Sequence, residues 1–461
     1  MNKFHRYLFF AILTLAGCKK NFLDSKPNSN IVNPTNLSEY QELLDNYKAL
    51  NSTGALPQMS CDEYFIMNQS SFDALDQLTY KGAYLWSKYL YGGETNIQDW
   101  NGEYKAVFYA NSVLDGISQF NLQTENQTQY NNIKGEALFF RAYAFYDLAT
   151  NFCPVYNVAT SKSDLGIPLR LASGIDYTLP RSTLQATFDQ IINDLNEAGT
   201  LLQDDFSFSN RNRPCKSAVD AMLARVYLYM GNYNAALTSA NACLSKYNTL
   251  IDYNSVSQTS ATPFSYSTDE TIFFSVQQYT YTLTTGYTTS RTNIGIDTNL
   301  IKLYSTNDLR LPIFLAKNSI GNYNVKRGYV GSGFYPFTGL ATDEIMLIKA
   351  ECAARLNDSA TALSTLNTLL SKRYKTGTFT PISAANSTEA LNDVLQERRK
   401  ELVWRAIRWS DLKRLNRDGA NISLQRILGA VTYTLAPNSP LYVFPIPSDE
   451  IALSGIQQNN R

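Results

Sequence analysis

The chain contains several long segments in which apolar side chains recur at the three- and four-residue spacing of an amphipathic helix. Within residues 130–152 one stripe carries Ala137, Phe140, Arg141, Ala144, Phe145 and Leu148. Residues 181–202 show the same spacing and offer Ser182 or Thr183 as the N-terminal cap. Both segments are predicted to be helices that bury one face against partner elements.

Two further segments have the spacing of tetratricopeptide repeats, in which paired antiparallel helices cross at small side chains. Residues 218–247 place a turn at Gly231 between two such helices and carry Ala224, Tyr227, Tyr233, Ala236, Leu237, Ala240 and Cys243 at the repeat positions. Residues 345–370 repeat the spacing with Ala350, Ala353, Asn357, Ala362, Leu363, Leu366 and Leu369. Because one repeat cannot bury its own apolar face, further helix pairs must stack beside these, and residues 130–202 are the candidates.

Between the two repeats the character of the chain changes. Residues 251–340 are rich in Ser, Thr, Tyr, Gly and Asn and contain short period-two fragments such as TIFFSVQQY. This composition predicts loops with a few short strands, and loops on a rigid scaffold often carry binding residues. The predicted fold class is therefore mainly α: a tetratricopeptide-like superhelix of about four helix pairs, with an irregular, loop-rich, short-strand half that binds ligand.

The first residues have the pattern of an export signal. A basic start and an apolar run of about nine residues (7–15) end in small side chains before Cys18. A membrane span needs roughly 20 apolar residues, so residues 1–17 are predicted to be a cleaved signal peptide. The ending LAGC looks like a bacterial lipobox, in which Cys18 receives lipid, and residues 18–36 are then the lipidated N-terminus and tether. The alternative is an ordinary signal peptide with an incidental cysteine.

Composition narrows the possible chemistry. The 461 residues carry 40 basic and 40 acidic side chains, a balance that argues against nucleic acid as a partner. The only histidine, His5, lies in the predicted signal peptide, so the mature chain has none for a catalytic dyad or a metal site. The sequence contains no P-loop, GxGxxG, HExxH or EF-hand motif, and a carboxylate pair of the kind that glycosidases use is the catalytic alternative. No catalytic residue, metal ligand or cofactor is predicted. The remaining cysteines form no CxxC pair and are expected to be buried: Cys61, Cys153, Cys215, Cys243 and Cys352.

Residues 397–415, ERRKELVWRAIRWSDLKRL, hold seven basic side chains. Glu397, Glu401 and Asp411 interleave with them, and an apolar stripe runs through the same segment. Ion pairing within the fold is therefore the favoured interpretation over a nucleic-acid helix. Three of the four tryptophans are predicted to lie in the core: Trp100, Trp404 and Trp409.

Taken together, these features resemble the SusD/RagB nutrient-uptake lipoproteins of the Bacteroidetes. The resemblance covers nearly the whole chain and rests on motifs in the family's order. These are FLDSKP (22–27), AYLWSKYLYGGETNIQDWNGEYKAVFYANSVLDGI (83–117), IKGEALFFRAYAFYDLATNF (133–152), GIPLR (166–170), LPRSTLQATFDQIINDL (179–195), DLRLPIF (308–314), GLATDEIMLIKAECAARL (339–356), the 397–415 segment and VFPIPSDE (443–450). Two departures are the early lysines at 19 and 20 and the segment NFCPVYN in place of a glycine-rich turn.

The resemblance implies a non-catalytic lipoprotein that captures a nutrient polymer, most often a glycan or oligosaccharide, and delivers it to a SusC-like TonB-dependent transporter. It implies lipid anchoring in the outer membrane, facing the cell exterior. It also divides the chain into an N-terminal helical region (37–250) and a C-terminal region (251–461) with a loop-rich ligand-binding part (251–340) and helices (341–417). The alternatives are a peptide-binding member of the same family and a tetratricopeptide scaffold for protein interactions.

Sugar binding requires aromatic faces for the apolar side of the ring and polar partners for its hydroxyls. The candidate aromatic residues outside the helical stripes are Tyr64, Trp86, Tyr281, Tyr287, Tyr335 and Phe337. The candidate polar partners are Asp62, Asn68 and Arg327. For each of them ordinary packing is the alternative.

Overall fold

A computed structural model describes residues 34–120, 126–204, 210–278, 281 and 287–461, so the predicted signal peptide and Cys18 lie outside the described residues. Helices dominate the described chain. In chain order they are α1 Leu37–Leu44, α2 Tyr47–Leu50, α3 Leu56–Ser60, α4 Gln69–Asp73, α5 Leu78–Tyr84, α6 Gln98–Ser118, α7 Gln127–Phe152, α8 Leu184–Leu201, α9 Lys216–Met230, α10 Tyr233–Lys246, α11 Thr298–Ile301, α12 Arg310–Phe314, α13 Thr342–Arg355, α14 Ser359–Leu370, α15 Ser387–Glu401, α16 Arg408–Arg417 and α17 Ser448–Ser454.

The long helices stack in a row, each packing on the next. The order of packing is α6, α7, α8, α9, α10 and α13, and α13 then contacts both α14 and α15. These helices amount to about four antiparallel pairs, the number expected for the superhelix. The prediction of a mainly helical, tetratricopeptide-like fold is confirmed.

Local sequence signals fix the ends of these helices. The hydroxyl of Thr183 accepts a hydrogen bond from Ala186 N at 3.1 Å, so Thr183 rather than Ser182 caps α8. Gly231 ends α9 at φ 82°, a left-handed conformation that glycine adopts without a Cβ clash. Asn232 then caps α10 by accepting from Ala235 N at 3.2 Å. The turn predicted at Gly231 is therefore the junction of the first repeat.

Helix α7 is buried on nearly its whole circumference from Ile133 to Phe152, more than its predicted stripe indicated. The reason is that four helices pack against it: α6 and α8 most extensively, with α1 and α9 adding further contacts. Arg141 of α7 is accommodated inside because its Nε and Nη2 donate to Asp194 of α8 at 2.8 and 2.7 Å. A charged side chain at this depth requires such a paired partner.

The strands are short and join distant parts of the chain. They are β1 Ser52–Thr53, β2 Tyr64–Ile66, β3 Thr271–Phe273, β4 Val276–Gln277, β5 Ile294–Ile296, β6 Leu315–Lys317, β7 Tyr323–Val325, β8 Leu340–Ala341, β9 Leu424–Leu428 and β10 Val431–Leu435. β1 pairs in parallel with β4 and β2 pairs antiparallel with β5, which ties the N-terminal region to the loop-rich segment. The remaining pairs, β3–β8, β6–β7 and β9–β10, are antiparallel.

One hydrophobic core runs through both regions, from Leu37 to Ile456. The three tryptophans predicted to be internal are at most 3 % exposed, and all five described cysteines are buried and unpaired, as expected. Among the described residues, no helix combines the length and the apolar character that a membrane crossing requires.

Most basic side chains of residues 397–415 form ion pairs within the fold. Six of the seven contact carboxylates in ion pairs that are mostly buried: Arg398–Asp411, Arg399–Asp62, Lys400–Asp308, Arg405–Asp343, Arg408–Asp62 and Arg414–Glu351. The structural interpretation of this segment is therefore confirmed.

Candidate ligand-binding site

The predicted aromatic residues Tyr64 and Trp86 surround an internal cation. Together with Tyr84 they place their rings 5.1, 4.8 and 3.9 Å from the guanidinium carbon of Arg426 on β9. The polar atoms of both predicted residues are also engaged, since Tyr64 Oη donates to Met59 O at 2.7 Å and Trp86 Nε1 to Ser60 O at 2.9 Å. Both side chains are at most 4 % exposed. They form an aromatic box for Arg426.

The predicted polar partners on the same side of the molecule stabilise local structure. Asp62 accepts from Arg408 Nε at 2.7 Å and from Arg399 Nη2 at 3.2 Å. Burial by itself would raise the pKa of Asp62, but these two guanidinium groups outweigh it and hold the pKa well below its usual range. Asn68 is exposed and caps α4 by accepting from Ser71 N at 2.8 Å.

Four of the five predicted residues of the loop-rich segment lie close together. Tyr287 Oη accepts from Phe337 N at 3.3 Å, and Arg327 Nε donates to Gly333 O at 3.0 Å in the loop that also carries Tyr335. Tyr287 and Arg327 line a cavity of about 30 Å³, which is room for a water molecule rather than a sugar ring. Phe337 is fully buried, whereas Arg327 and Tyr335 are half-buried.

Tyr281 lies apart from this group. Its ring meets Tyr80 edge-on with centroids 5.2 Å apart, and its backbone adopts a left-handed φ of 69°. The nine predicted residues thus lie in separate places, and most of them are occupied by contacts within the protein. Their role in ligand binding remains a prediction.

Two exposed tyrosines that the sequence analysis did not select lie near enough to each other for one to influence the pKa of the other. Tyr47 of α2 is 54 % exposed and Tyr266 is 53 % exposed. Partial burial raises the pKa of Tyr266, and the neighbouring Tyr47 adds to this effect. Tyr266 Oη donates to the side-chain oxygen of Asn212 at 3.1 Å. We refer to Tyr47, Tyr266 and Asn212 as the tyrosine surface.

The tyrosine surface is held rigidly from beneath. The ring of Tyr266 packs against Phe274 with centroids 4.4 Å apart, and Asn51 Nδ2 donates to both Asn212 O and Phe274 O at 2.8 Å. Gly331 permits this arrangement, because a Cβ there would lie 2.6 Å from Tyr266 N. An exposed aromatic face beside a fixed amide suits the apolar face and the hydroxyls of a sugar.

A buried group of three carboxylates, Glu270, Asp343 and Glu401, has the spacing of a metal site. Arginines engage each of them: Arg373 contacts Glu270 and Glu401, and Arg405 contacts Asp343 at 3.1 Å. These guanidinium groups supply the positive charge that a cation would bring. The cluster is therefore a structural ion-pair network.

The helical superhelix with a loop-rich half defines a tetratricopeptide-scaffold protein with an exposed polar and aromatic face. Two family models match the sequence of this chain. The model described as starch-binding and associating with the outer membrane matches residues 21–228, and the SusD family model matches residues 340–460. The chain belongs to the SusD/RagB family, and the resemblance inferred from the motifs is confirmed.

Relatives and solved structures agree with this assignment. A SusD-like protein of Formosa agariphila is 23 % identical over 100 % of this chain and 99 % of its own length. A second SusD-like protein of that organism is 29 % identical over 32 % of this chain, so that match spans only 26 % of the relative. A SusD superfamily structure from Bacteroides thetaiotaomicron superposes with a TM-score of 0.75 at 20 % identity, covering 92 % of this chain and all of that one.

A SusD-like carbohydrate binding protein from Bacteroides vulgatus has a TM-score of 0.67 at 20 % identity, covering 91 % of this chain and 96 % of that chain. At these identities the solved structures establish the shared fold. What bears on function is the family model over residues 21–228, whose description is starch-binding and associating with the outer membrane.

Proposed function

We propose that the protein is a non-catalytic lipoprotein that captures an oligosaccharide at its loop-rich face and delivers it to a SusC-like TonB-dependent transporter. Lipid on Cys18 holds it in the outer membrane, facing the exterior. The observation that carries the binding role is the tyrosine surface, a preformed, exposed aromatic and amide face on a chain of the SusD family. The absence of histidine after residue 5 agrees with binding rather than catalysis.

The geometry predicts moderate affinity. The tyrosine surface is open, so a sugar stacks on one aromatic side and stays in contact with water on the other. Such sites bind with free energies of roughly −4 to −8 kcal/mol, corresponding to millimolar to micromolar dissociation constants. Rapid release at this affinity suits a protein that passes its ligand on to a transporter.

The test is affinity electrophoresis and calorimetry of the lipid-free chain against a panel of neutral and acidic polysaccharides, with peptides included. Saturable binding of one glycan without product release is expected. Tyr266→Ala should weaken it roughly 5- to 13-fold, because a stacked aromatic contributes about 1–1.5 kcal/mol. Tyr89→Ala is the matched control, because Tyr89 is 80 % exposed but lies outside the tyrosine surface.

Each alternative outcome is informative. Binding that is lost in Tyr89→Ala and kept in Tyr266→Ala would place the ligand on the 85–96 loop and contradict the site. Binding of peptides alone would favour the peptide-binding alternative. Release of shortened sugars during prolonged incubation would contradict the non-catalytic role.

A further inference from the structure

A second cleft, separate from the tyrosine surface, lies between the loop after α7 and the C-terminal tail. Its volume is about 430 Å³, within the range of small-ligand sites. Its wall is formed by residues 154–155 and 163–165, by α16, by residues 438–443 and by the tail at 457–460. A surface pocket of about 410 Å³ lies between α10, α13 and α14. Two smaller pockets of about 50 and 30 Å³ have room for at most a few waters.

The wall of this cleft includes a buried cation without a carboxylate partner. Lys413 of α16 is 3 % exposed, and its Nζ donates to Thr150 O at 2.6 Å and to Cys153 O at 2.9 Å. An ammonium group has three N–H donors, so these two bonds leave one for a further acceptor. Within the described ranges Lys413 takes part in no ion pair, unlike its neighbours Arg408 and Arg414. Both carbonyls lie at the C-terminal end of α7, where the helix dipole favours a cation, so the ammonium is held there without a carboxylate.

The charged and titratable groups around Lys413 are few. Asp164 and Tyr442 share the cleft wall with it, and the Cys153 thiol lies below it. Arg181 lies behind the tail, where its Nη1 donates to Gln457 O and to Asn459 Oδ1 at 3.1 and 2.8 Å. Burial lowers the pKa of Lys413 to about 7. An anion in the cleft would restore the charged form.

The rest of the wall has the chemistry of a sugar site. Pro154, Val155 and Pro440 provide apolar surface, and Asn438, Gln457 and Asn460 provide exposed amides. Apolar patches contact the C–H face of a sugar ring, whereas amides bind its hydroxyls.

The cleft is also preformed. Asn459 Nδ2 donates to Phe152 O and Phe444 O at 2.8 Å, and the Gln458 amide exchanges two 2.8 Å hydrogen bonds with the backbone of Ile446. These contacts fasten the tail to the core on either side of the cleft. A ligand therefore meets a wall that needs little ordering on binding.

We propose that this cleft binds a sugar unit that carries a carboxylate, with Lys413 donating to the carboxylate and the amides of the rim contacting the hydroxyls. The site does not depend on the tyrosine surface. It would give the protein a second point of attachment to an acidic polysaccharide, or a separate site for a uronic acid.

The experiment titrates the whole lipid-free chain with D-glucuronate and with D-glucose, using ligand-observed NMR at pH 6 and pH 8.5. Glucuronate should bind at pH 6 and at least about tenfold more weakly at pH 8.5, because Lys413 loses its proton as the pH rises through about 7. Glucose should bind more weakly than glucuronate at pH 6. Equal binding of the two sugars, or glucuronate binding that is independent of pH, would overturn the proposal.

Two variants locate the binding. Lys413→Met should reduce glucuronate affinity about tenfold or more at pH 6. If this variant does not fold, Asn438→Asp tests the same point at the exposed rim, where the added negative charge should weaken glucuronate binding about two- to fivefold. Asn421→Asp is its matched control, because both asparagines are exposed, have φ near 50° and donate one side-chain bond to a backbone oxygen. Equal effects of the two Asp variants would contradict the location.

Discussion

Replacing Arg373 tests the buried ion-pair network that joins Glu270 of the loop-rich part to Arg373 and Glu401 of the helical part that follows it. Arg373 is fully buried; its Nη2 donates to both oxygens of Glu270 at 2.8 and 3.0 Å, and its Nε donates to Glu401 at 2.7 Å. Its guanidinium also lies 4.0 Å from the ring centroid of Tyr253. In Arg373→Met the side chain still fills the space, but Glu270 loses its only ion-pair partner among the described residues.

The expected cost follows from the orphaned carboxylate. Removing one member of a buried ion pair destabilises a protein by about 3–5 kcal/mol. Glu270 keeps bonds from Ile251 N and Tyr329 Oη, and Glu401 keeps Arg310, so we expect a value near the lower end, about 3 kcal/mol. For a chain of this size that corresponds to a fall in melting temperature of roughly 3 °C.

The dependence on pH separates this explanation from simple loss of packing. Burial raises the pKa of Glu270, and removal of Arg373 raises it further. A group whose pKa is raised in the folded state stabilises that state at low pH and loses the contribution as the pH rises. The destabilisation by Arg373→Met should therefore be larger at pH 8 than at pH 5.

Calorimetry and denaturant melts of Arg373→Met, Glu270→Gln and the double variant at both pH values provide the assay. The double variant should be more stable than Arg373→Met alone at pH 8, since it removes the unpaired charge. Equal destabilisation at pH 5 and pH 8, together with no rescue by Glu270→Gln, would refute the reasoning and leave lost packing as the cause.

Three further predictions concern single contacts. Arg426→Met should lower the free energy of unfolding by about 2–4 kcal/mol because the aromatic box loses its cation. Arg426→Lys keeps a cation and should lose less of that free energy. Equal losses for the two variants in denaturant melts would contradict the role of the aromatic box. Burial raises the pKa of Asp147 to about 7, so its contribution to stability should be lost as the pH rises from about 4 to about 7. In Asp147→Asn, calorimetry should show a smaller fall in stability over this pH range. Gly231 has a left-handed φ of 82°, so Gly231→Ala should lower the free energy of unfolding by about 1 kcal/mol. Gly231→Asn should lower it by less, and thermal melts of the two variants provide the measurement.

The sequence predicted the helical half well because its signals are local. The cap at Thr183, the turn at Gly231 and the repeat spacing around them involve residues within one or two helical turns of each other. The interleaved carboxylates also indicated that the basic segment 397–415 is structural, although most of its partners in the structure, such as Asp62 and Glu351, lie elsewhere in the chain.

The candidate site was harder to predict because its contacts are remote in sequence. Tyr64 and Trp86 looked like ligand-binding aromatics, and nothing near them indicated that Arg426, more than 300 residues later, fills the space between their rings. Tyr266 lies in the loop-rich segment that was expected to bind, yet its exposure depends on its packing over Phe274 and on the close approach of Gly331. Neither contact leaves a periodic pattern along the chain.

The most direct test of the central claim is to extract the native protein from the outer membrane with a mild detergent, isolate it through a C-terminal tag and determine what accompanies it. The account predicts a stoichiometric complex with a large TonB-dependent barrel, and loss of membrane attachment in Cys18→Ala. Recovery of the membrane-bound protein without a barrel, or with a soluble enzyme in its place, would contradict the proposed role in transport.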